Sequence, residues 1–257
     1  MIHPRTGKIY KPLDAPYGAQ GFKMKTIKLL DTSGGNFKLK KTNADKALKV
    51  AGLSLLPNKK GCPFMNIAGC GASCLRFSGR GIFKNVENSR QSKLDYLNND
   101  RTGFIKKLTS ELNTFSKYCA KRELVGYVRL NVLSDYPWHA EAYGAIPQQF
   151  PELKFYDYTK VAKRLGETPD NYELMFSYSP AKAYQKSVQL ALKTTAPMSV
   201  VFNGDMPAEF LGRKVYDGDK SDIENLARKS SIIGLKYKLA KGQSIDPLDS
   251  KFIVTHA

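Results

Sequence analysis

The chain has few residues of several types and no long apolar run. Its 257 residues include four cysteines, three histidines and one tryptophan, and no apolar stretch is long enough to cross a membrane as a helix. The first residues carry positive charge without a following apolar segment, so a secretory signal is not expected. These absences predict a cytoplasmic protein that does not enter a membrane.

Acidic residues are scarce relative to basic ones. The chain has 23 Asp and Glu against 41 Lys and Arg, a net charge of +18. The excess is concentrated in residues 1–60, with thirteen basic and three acidic residues, and in residues 61–140, with twelve and six. Such a surface favours non-specific binding of nucleic acid through phosphates, or it only keeps the protein soluble. No zinc-finger, basic-zipper or RNA-recognition pattern accompanies the charge.

The order of apolar runs predicts the fold class. Residues 1–45 read as an irregular basic N-terminal extension, and residues 46–257 as one domain. In that domain short β-type runs alternate with helical segments, which is typical of a parallel sheet with crossover helices. We therefore expect an α/β fold, a mainly parallel, partial (βα)6-type barrel. The expected strands begin near Leu48, Val125, Lys154, Tyr172, Met198 and Ser231, and the end of the chain adds an edge strand.

One long helical stretch is expected from Asn85 to about Arg122. Apolar residues recur in it at intervals of three and four, which marks one buried helix face. Those residues are Phe104, Leu108, Leu112, Phe115 and Cys119. Asp100 or Thr102 is expected to cap the helix, and Cys119 is interpreted as a core residue.

The other three cysteines lie within thirteen positions. Cys62, Cys70 and Cys74 have the spacing C-x7-C-x3-C, among glycines that let the backbone approach a metal centre closely. Clustered thiols in a reducing compartment indicate metal binding before disulfides. An iron–sulfur cluster of the 4Fe–4S type suits this spacing best, with zinc as the alternative metal. The non-metal interpretation is three unligated thiols, or a disulfide with one thiol left over. Arg76 and Arg80 are expected to offset the cluster's negative charge or to hold an anion.

Polar residues follow the predicted strands, at the points where the strands end. In parallel α/β folds the carboxyl ends of the strands meet at one edge, where reactive side chains converge. Asp135 and Lys160 are the candidate catalytic residues. The candidate substrate- or cofactor-binding residues are Arg129, Asn131, Ser134, Tyr158, Thr159, Ser177, Ser179 and Asn203. The alternative is that these residues only cap turns and helices.

Several blocks of the chain resemble a known family. CP-x6-C-x3-CL followed by SGRG, then RLNVLSDYPW, FYDYTK, VVFNG and VYDGDKSDI, resemble in order the blocks of the phage gene 88 protein family. That family has no settled biochemical activity, and membership implies a location in the host cytoplasm. More loosely, three cysteines after a first strand are similar to the cluster loop of radical S-adenosylmethionine enzymes.

These resemblances lead to two functional hypotheses. The first is a phage iron–sulfur protein acting as a radical-SAM-like enzyme on an unknown small molecule or nucleic acid, with S-adenosylmethionine as a candidate cofactor. The second is a non-enzymatic protein that binds nucleic acid or a host factor and uses its metal only for structure.

Overall fold

A computed structural model describes residues 27–32, 47–71, 73–77, 79–237 and 250–255. Its strands are β1 (Leu30–Asp31), β2 (Leu48–Leu53), β3 (Val125–Arg129), β4 (Lys154–Thr159), β5 (Tyr172–Ser177), β6 (Met198–Asn203), β7 (Glu209–Phe210), β8 (Arg213–Asp217), β9 (Ile232–Lys236) and β10 (Val254–Thr255). Its α-helices are α1 (Lys84–Asn99), α2 (Arg101–Lys121), α3 (Gln185–Leu192) and α4 (Asp222–Ala227). No helix in these ranges is long and apolar enough to span a membrane.

The ten described strands form one open, mainly parallel sheet. Their order is β1-β2-β3-β4-β5-β6-β9-β8-β7, and β10 pairs with β6 beside this row. Only the two outer pairs, β1 with β2 and β7 with β8, are antiparallel. The predicted α/β class with a mainly parallel sheet is confirmed.

The C-terminal strand enters the sheet where two neighbouring strands separate. β5 pairs with the first residues of β6, Phe176 with Met198 and Ser177 with Ser199. β10 instead pairs with the last residues of β6, Val254 with Phe202. The end of the chain therefore reaches the carboxyl edge of the central strands rather than an outer edge of the sheet.

The predicted long helix is divided into two at Asp100. The backbone N–H of Asp100 closes the last turn of α1 on Tyr96, and its carboxylate accepts a 2.8 Å hydrogen bond from the N–H of Gly103 in α2. The prediction of Asp100 as a cap is thus confirmed, and the single helix was wrong because the cap residue also ends the preceding helix. The predicted stripe from Phe104 to Cys119 is buried.

The two faces of the sheet are covered differently. The buried faces of α1 and α2 pack on Leu53, Val128 and Phe155, and α3 packs farther along the sheet near Phe176. Leu226 of α4 packs in a separate cluster with residues such as Tyr156. Burying each large apolar side chain stabilises the fold by about 1.5–3 kcal/mol, so these clusters hold the strands in place.

The segment before β2 belongs to the same sheet. β1 pairs with the end of β2, and the Glu111 carboxylate accepts hydrogen bonds from the N–H groups of Leu29 and Leu30 at 3.0 and 2.8 Å. Lys93 donates to the Leu29 carbonyl at 2.9 Å. Residues 33–46 lie outside the described residues, so the boundary between residues 1–45 and 46–257 stays a prediction.

One carboxylate inside the sheet makes stability depend on pH. Asp157 is 1% exposed and accepts hydrogen bonds from the Asn131 backbone N–H at 2.7 Å and from the Tyr172 hydroxyl at 2.8 Å. Burial raises the pKa of Asp157 to about 7, although nearby Arg129 and these hydrogen bonds favour the charged form. The folded state therefore holds the proton more tightly than the unfolded chain does. The resulting stabilisation is complete below about pH 4 and is lost as the pH rises through about 7.

We predict that Asp157→Asn removes this dependence. Between about pH 4 and pH 8 the free energy of unfolding of the wild type should fall relative to the variant by up to about 4 kcal/mol. Urea denaturation at several pH values measures this difference. Asp170→Asn, at an exposed position, is the control. Equal pH slopes for the wild type and Asp157→Asn would contradict the prediction.

Candidate functional site

The cysteine loop, residues 54–83, leads from β2 to α1 and lies at the carboxyl end of the parallel strands. Its first turn forms because the Asn58 side-chain oxygen accepts a 2.6 Å hydrogen bond from the Gly61 N–H. The Gly61 carbonyl then accepts one from the Asp135 N–H at 2.5 Å. A Cβ atom on Gly61 would lie 2.5 Å from the Tyr136 ring, so this approach requires glycine. The loop is thereby tied to the segment after β3.

Two serines tie the middle of the cysteine loop to other elements. Ser179, just after β5, donates a 2.7 Å hydrogen bond to the Ala68 carbonyl. The hydroxyls of Ser73 and Ser250 lie 2.6 Å apart. Ser250 begins the C-terminal strap, residues 250–255, which ends in β10. The loop, the ends of the central strands and the strap therefore enclose one region.

Three thiols face this region. The Cys62 thiol lies 3.7 Å from the Leu133 carbonyl, and the Cys70 thiol lies 3.8 Å from the Met65 carbonyl. Burial raises the pKa of each of the three thiols. The other two thiols raise the pKa of Cys62 further, and Cys70 raises that of Cys74. The thiols are thus close enough to interact electrostatically, as their clustering in the sequence suggests.

Their spacing bears on which metal they suit. Within the described ranges, no three His, Cys, Asp or Glu side chains are grouped as ligands of one metal ion. When two cysteines bind the same tetrahedral zinc ion, their sulfur atoms lie about 3.8 Å apart, because each Zn–S bond is about 2.3 Å long. A four-iron cluster holds its thiolates at different corners of a cube, farther apart than one ion does. The distance between sulfurs is therefore the quantity that distinguishes the two kinds of site.

A half-buried lysine faces the thiols. The Lys160 amine donates to the Ser177 hydroxyl at 2.8 Å and lies 4.3 Å from the centre of the Phe252 ring, with Tyr184 on another side at 5.8 Å. Burial lowers the pKa of Lys160, whereas Cys70, Asp135 and the other two thiols raise it. Among the described residues, no carboxylate forms an ion pair with this amine.

Two arginines approach the thiols from the side of α1. Arg90 donates to the Gly81 carbonyl at 3.3 Å, and burial lowers its pKa while Cys74 and Glu87 raise it. Arg76 forms a 3.1 Å ion pair with Glu87, and its charge lowers the pKa of Cys74. The thiols therefore have cationic groups on two sides.

The carboxylate of Asp135 positions the end of β4. One oxygen accepts from the Thr159 hydroxyl at 2.8 Å and from Arg164 at 2.7 Å, and the other accepts from the backbone N–H of Lys160 at 2.8 Å. Burial raises the pKa of Asp135, and Arg164 with these hydrogen bonds opposes the rise. Because its oxygens already accept hydrogen bonds from these donors, Asp135 acts here as a positioning residue that fixes Thr159 and the backbone of Lys160.

Asn131 organises the turn after β3 in a similar way. Its side-chain oxygen accepts from the Ser134 hydroxyl at 2.9 Å, the Tyr136 N–H at 2.8 Å and the Trp138 indole at 3.1 Å. Its amide donates to the Tyr136 carbonyl at 2.9 Å and to Asp157 at 3.1 Å. Asn131 and Ser134 therefore fix the backbone that carries Asp135.

Arg129 and Tyr158 lie in a different cluster. Both contact Asp222 of α4 at 3.0 Å, and the Arg129 guanidinium lies 4.5 Å from the centre of the Tyr158 ring. Asp157, which precedes Tyr158 in β4, bonds Asn131 instead. Because adjacent strand residues point to opposite faces, this cluster and the Asn131 turn lie on opposite sides of the sheet.

The remaining predicted residues are spread around the edge. Asn203 is exposed and lines a surface cavity of about 430 Å³ with Asp205 and Met206. The side chain of Arg80 lies outside the described part of the chain. The predicted residues that the structure brings together beside the thiols are Asp135, Thr159, Lys160, Ser177 and Arg76.

Four residues of this region were missed by sequence reasoning. Arg90, Arg164, Tyr184 and Phe252 all contact or face the predicted group. No spacing in the sequence marks them, because their positions depend on how the helices and the strap pack.

Comparison with protein-family models gives a match. The family model described as Gene product 88 matches residues 28–253. No curated protein and no solved structure matches the chain. The looser resemblance to radical S-adenosylmethionine enzymes therefore has no support from relatives.

We predict that Asp135→Asn lowers the free energy of unfolding by about 3 kcal/mol, because it leaves Arg164 buried beside a neutral group. Chemical denaturation measures the loss, with Asp205→Asn as the matched control at an exposed position. An unchanged stability would show that Asp135 does not hold the end of β4.

Proposed function

Since this chain belongs to the gene product 88 family, whose model spans most of the described fold, we propose that it is a phage iron–sulfur protein. Cys62, Cys70 and Cys74 hold a 4Fe–4S cluster at the carboxyl end of the parallel strands. Three cysteines leave one iron without a protein thiolate, and that iron is where a small-molecule ligand binds.

The observation that carries this proposal is the buried positive charge beside the thiols. Lys160 and Arg90 both interact electrostatically with the cysteines. Their acidic neighbours, Asp135 and Glu87, are already paired with Arg164 and Arg76. A buried positive charge that has to share its counter-charge is costly. Thiolates on a cluster supply that negative charge, whereas neutral thiols do not.

The protonation state of the three thiols is consistent with binding of a cluster. Their pKa values are raised by burial, so without metal they are protonated, and binding a cluster releases their protons. The positive groups around them lower the cost of the resulting thiolates. The same groups favour the carboxylate of a bound ligand, and S-adenosylmethionine, which carries a carboxylate beside its cationic sulfonium, is a candidate.

The strand order supports a finer description of the fold. The parallel strands β2 to β6 follow one another in chain order, and β9 continues the row. This order is also that of a partial (βα)6-type barrel. α1, α2 and α3 cover one face of the sheet, and α4 packs on the face that carries the Arg129 cluster. The cysteine loop follows the first parallel strand, so it lies at the carboxyl end of the barrel strands, where ligands bind in such folds.

We predict that anaerobically purified protein contains iron and inorganic sulfide and absorbs broadly in the visible range. Replacing Cys62, Cys70 and Cys74 together by serine should reduce iron by at least tenfold, because the ligands are removed. Cys119→Ala should leave iron unchanged, since Cys119 is buried in α2. Zinc in place of iron, or iron retained by the triple variant, would contradict the proposal.

We predict that Lys160→Met shifts the midpoint potential of the cluster to more negative values. A buried positive charge stabilises the reduced, more negative cluster, so its loss should cost roughly 60 mV or more, a tenfold change for one electron. A potentiometric titration followed by electron paramagnetic resonance measures the shift. Lys163→Met, at an exposed position, is the control and should leave the potential unchanged. A Lys160→Met potential equal to that of the wild type would show that this amine does not face the cluster.

A further inference from the structure

The face of the sheet that carries the Arg129 cluster contains two buried hydrogen-bond donors without an acceptor. Arg129 is 5% exposed and Tyr156 is 1% exposed. Among the described residues, neither the Arg129 Nε nor the Tyr156 hydroxyl has a hydrogen-bond partner. Buried polar groups are almost always paired, because an unpaired donor loses its hydrogen bonds to water. We call these two side chains the donor pair. Since the Nε–H group only donates, the partner that they lack is an acceptor.

The donor pair is held in place by its neighbours. Arg129 lies in β3 and Tyr156 in β4, and the guanidinium carbon is 6.0 Å from the centre of the Tyr156 ring. The Tyr158 ring lies against the same guanidinium at 4.5 Å. The Tyr127 ring meets the Tyr156 ring edge-on, with 6.3 Å between their centres. The packing of three rings and two strands therefore fixes both donors in one region.

The guanidinium of Arg129 uses one of its edges for a carboxylate of the protein. Its Nη1 forms a 3.0 Å ion pair with Asp222. Its Nε belongs to a second edge, which Nη2 completes, and such an edge presents two parallel N–H groups to a carboxylate or phosphate. The side chains of Arg129 and Asp222 keep 6% and 5% of their surface exposed. A small terminal group can therefore reach the cluster, whereas a bulky molecule cannot.

We propose that the donor pair binds an oxyanion, the carboxylate or phosphate group of a small ligand. The oxygens of this group accept hydrogen bonds from the Arg129 Nε and from the Tyr156 hydroxyl, while Asp222 stays on the other edge of the guanidinium. The site lies on the opposite side of the sheet from the Asn131 turn that carries Asp135. It uses none of the cysteines, so this proposal and the proposed cluster succeed or fail independently.

Other occupants fit the donor pair less well. A cation is repelled by the guanidinium and finds donors where it needs acceptors. A water molecule accepts both hydrogen bonds, but a charged oxygen forms stronger ones with a guanidinium. Asp222 does not remove this preference, because its carboxylate also accepts a 3.0 Å hydrogen bond from Tyr158 and so divides its charge between two donors.

Nuclear magnetic resonance of the full chain tests the proposal, with acetate and inorganic phosphate as separate probes. The proton–nitrogen signal of the Arg129 Nε is assigned by its loss in Arg129→Lys. This signal should shift saturably with at least one probe, and the probe that saturates it identifies the group as a carboxylate or a phosphate. Sodium chloride at equal ionic strength corrects for screening.

Two matched variants test the second donor. Tyr156→Phe keeps the ring and removes the hydroxyl, so the Kd of the saturating probe should rise by about fivefold or more. Tyr127→Phe removes a hydroxyl from the adjacent ring and should bind like the wild type. Circular dichroism verifies that both variants are folded, and the titration of the wild type does not depend on either of them.

Arg228 is the internal control. Its Nε is also buried without a partner in the described part of the chain, and its guanidinium lies 4.1 Å from the centre of the Tyr216 ring. Its signal should not saturate with either probe. A wild-type Arg129 signal that never saturates would show that water alone occupies the site, and it would overturn the proposal. Equal binding by Tyr156→Phe and the wild type, or equal saturation at Arg228, which would indicate an adventitious ion only, would also overturn it.

Discussion

The carboxylate of Asp135 is the contact on which the geometry of the candidate site depends. It accepts hydrogen bonds from Thr159, from the backbone of Lys160 and from Arg164, while its own N–H binds the Gly61 carbonyl. One residue thus joins the cysteine loop, the turn after β3 and the end of β4. Because Lys160 directly follows β4, this clamp sets where its amine points relative to the thiols.

The second constraint is electrostatic. Lys160 is held among Ser177, Tyr184 and Phe252, in surroundings that disfavour its charge. Its strongest favourable interactions are with the cysteines and Asp135, and Asp135 already neutralises Arg164. A negative group at the thiols, which the proposed cluster supplies, would therefore be stabilised by this amine. The C-terminal strap completes the enclosure, since Phe252 covers the amine and β10 fixes the strap in the sheet.

Much of the fold follows from local sequence patterns. The starts of the parallel strands, the buried stripe ending at Cys119 and the cap at Asp100 are each set by periodicity or by one side chain, so they were predictable. The division of the long helix at that cap was missed, because helical periodicity continues on both sides of Asp100. The insertion of β10 beside β6 was also missed, since it depends on where β5 and β6 separate.

The candidate site was predictable only in part. The sequence indicates which residues end each strand, and Asp135, Lys160 and Ser177 do meet near the cysteines. It does not indicate which way those side chains turn. Arg129 alternates with Asn131 along the chain, yet it pairs with Asp222 on the other side of the sheet, because β3 ends at Arg129 and the turn that follows breaks the alternation. Arg164 and Phe252 enter the site through packing, which no local pattern records.

The central claim is that a cluster, and not a single ion or free thiols, lies between the cysteines and Lys160. Anomalous X-ray diffraction at the iron edge, from crystals grown without oxygen, tests it most directly. The account predicts one strong iron peak bonded to the sulfurs of Cys62, Cys70 and Cys74, on the side that faces Lys160. A peak only at the zinc edge, or an iron-free region with the three thiols unligated, would contradict it.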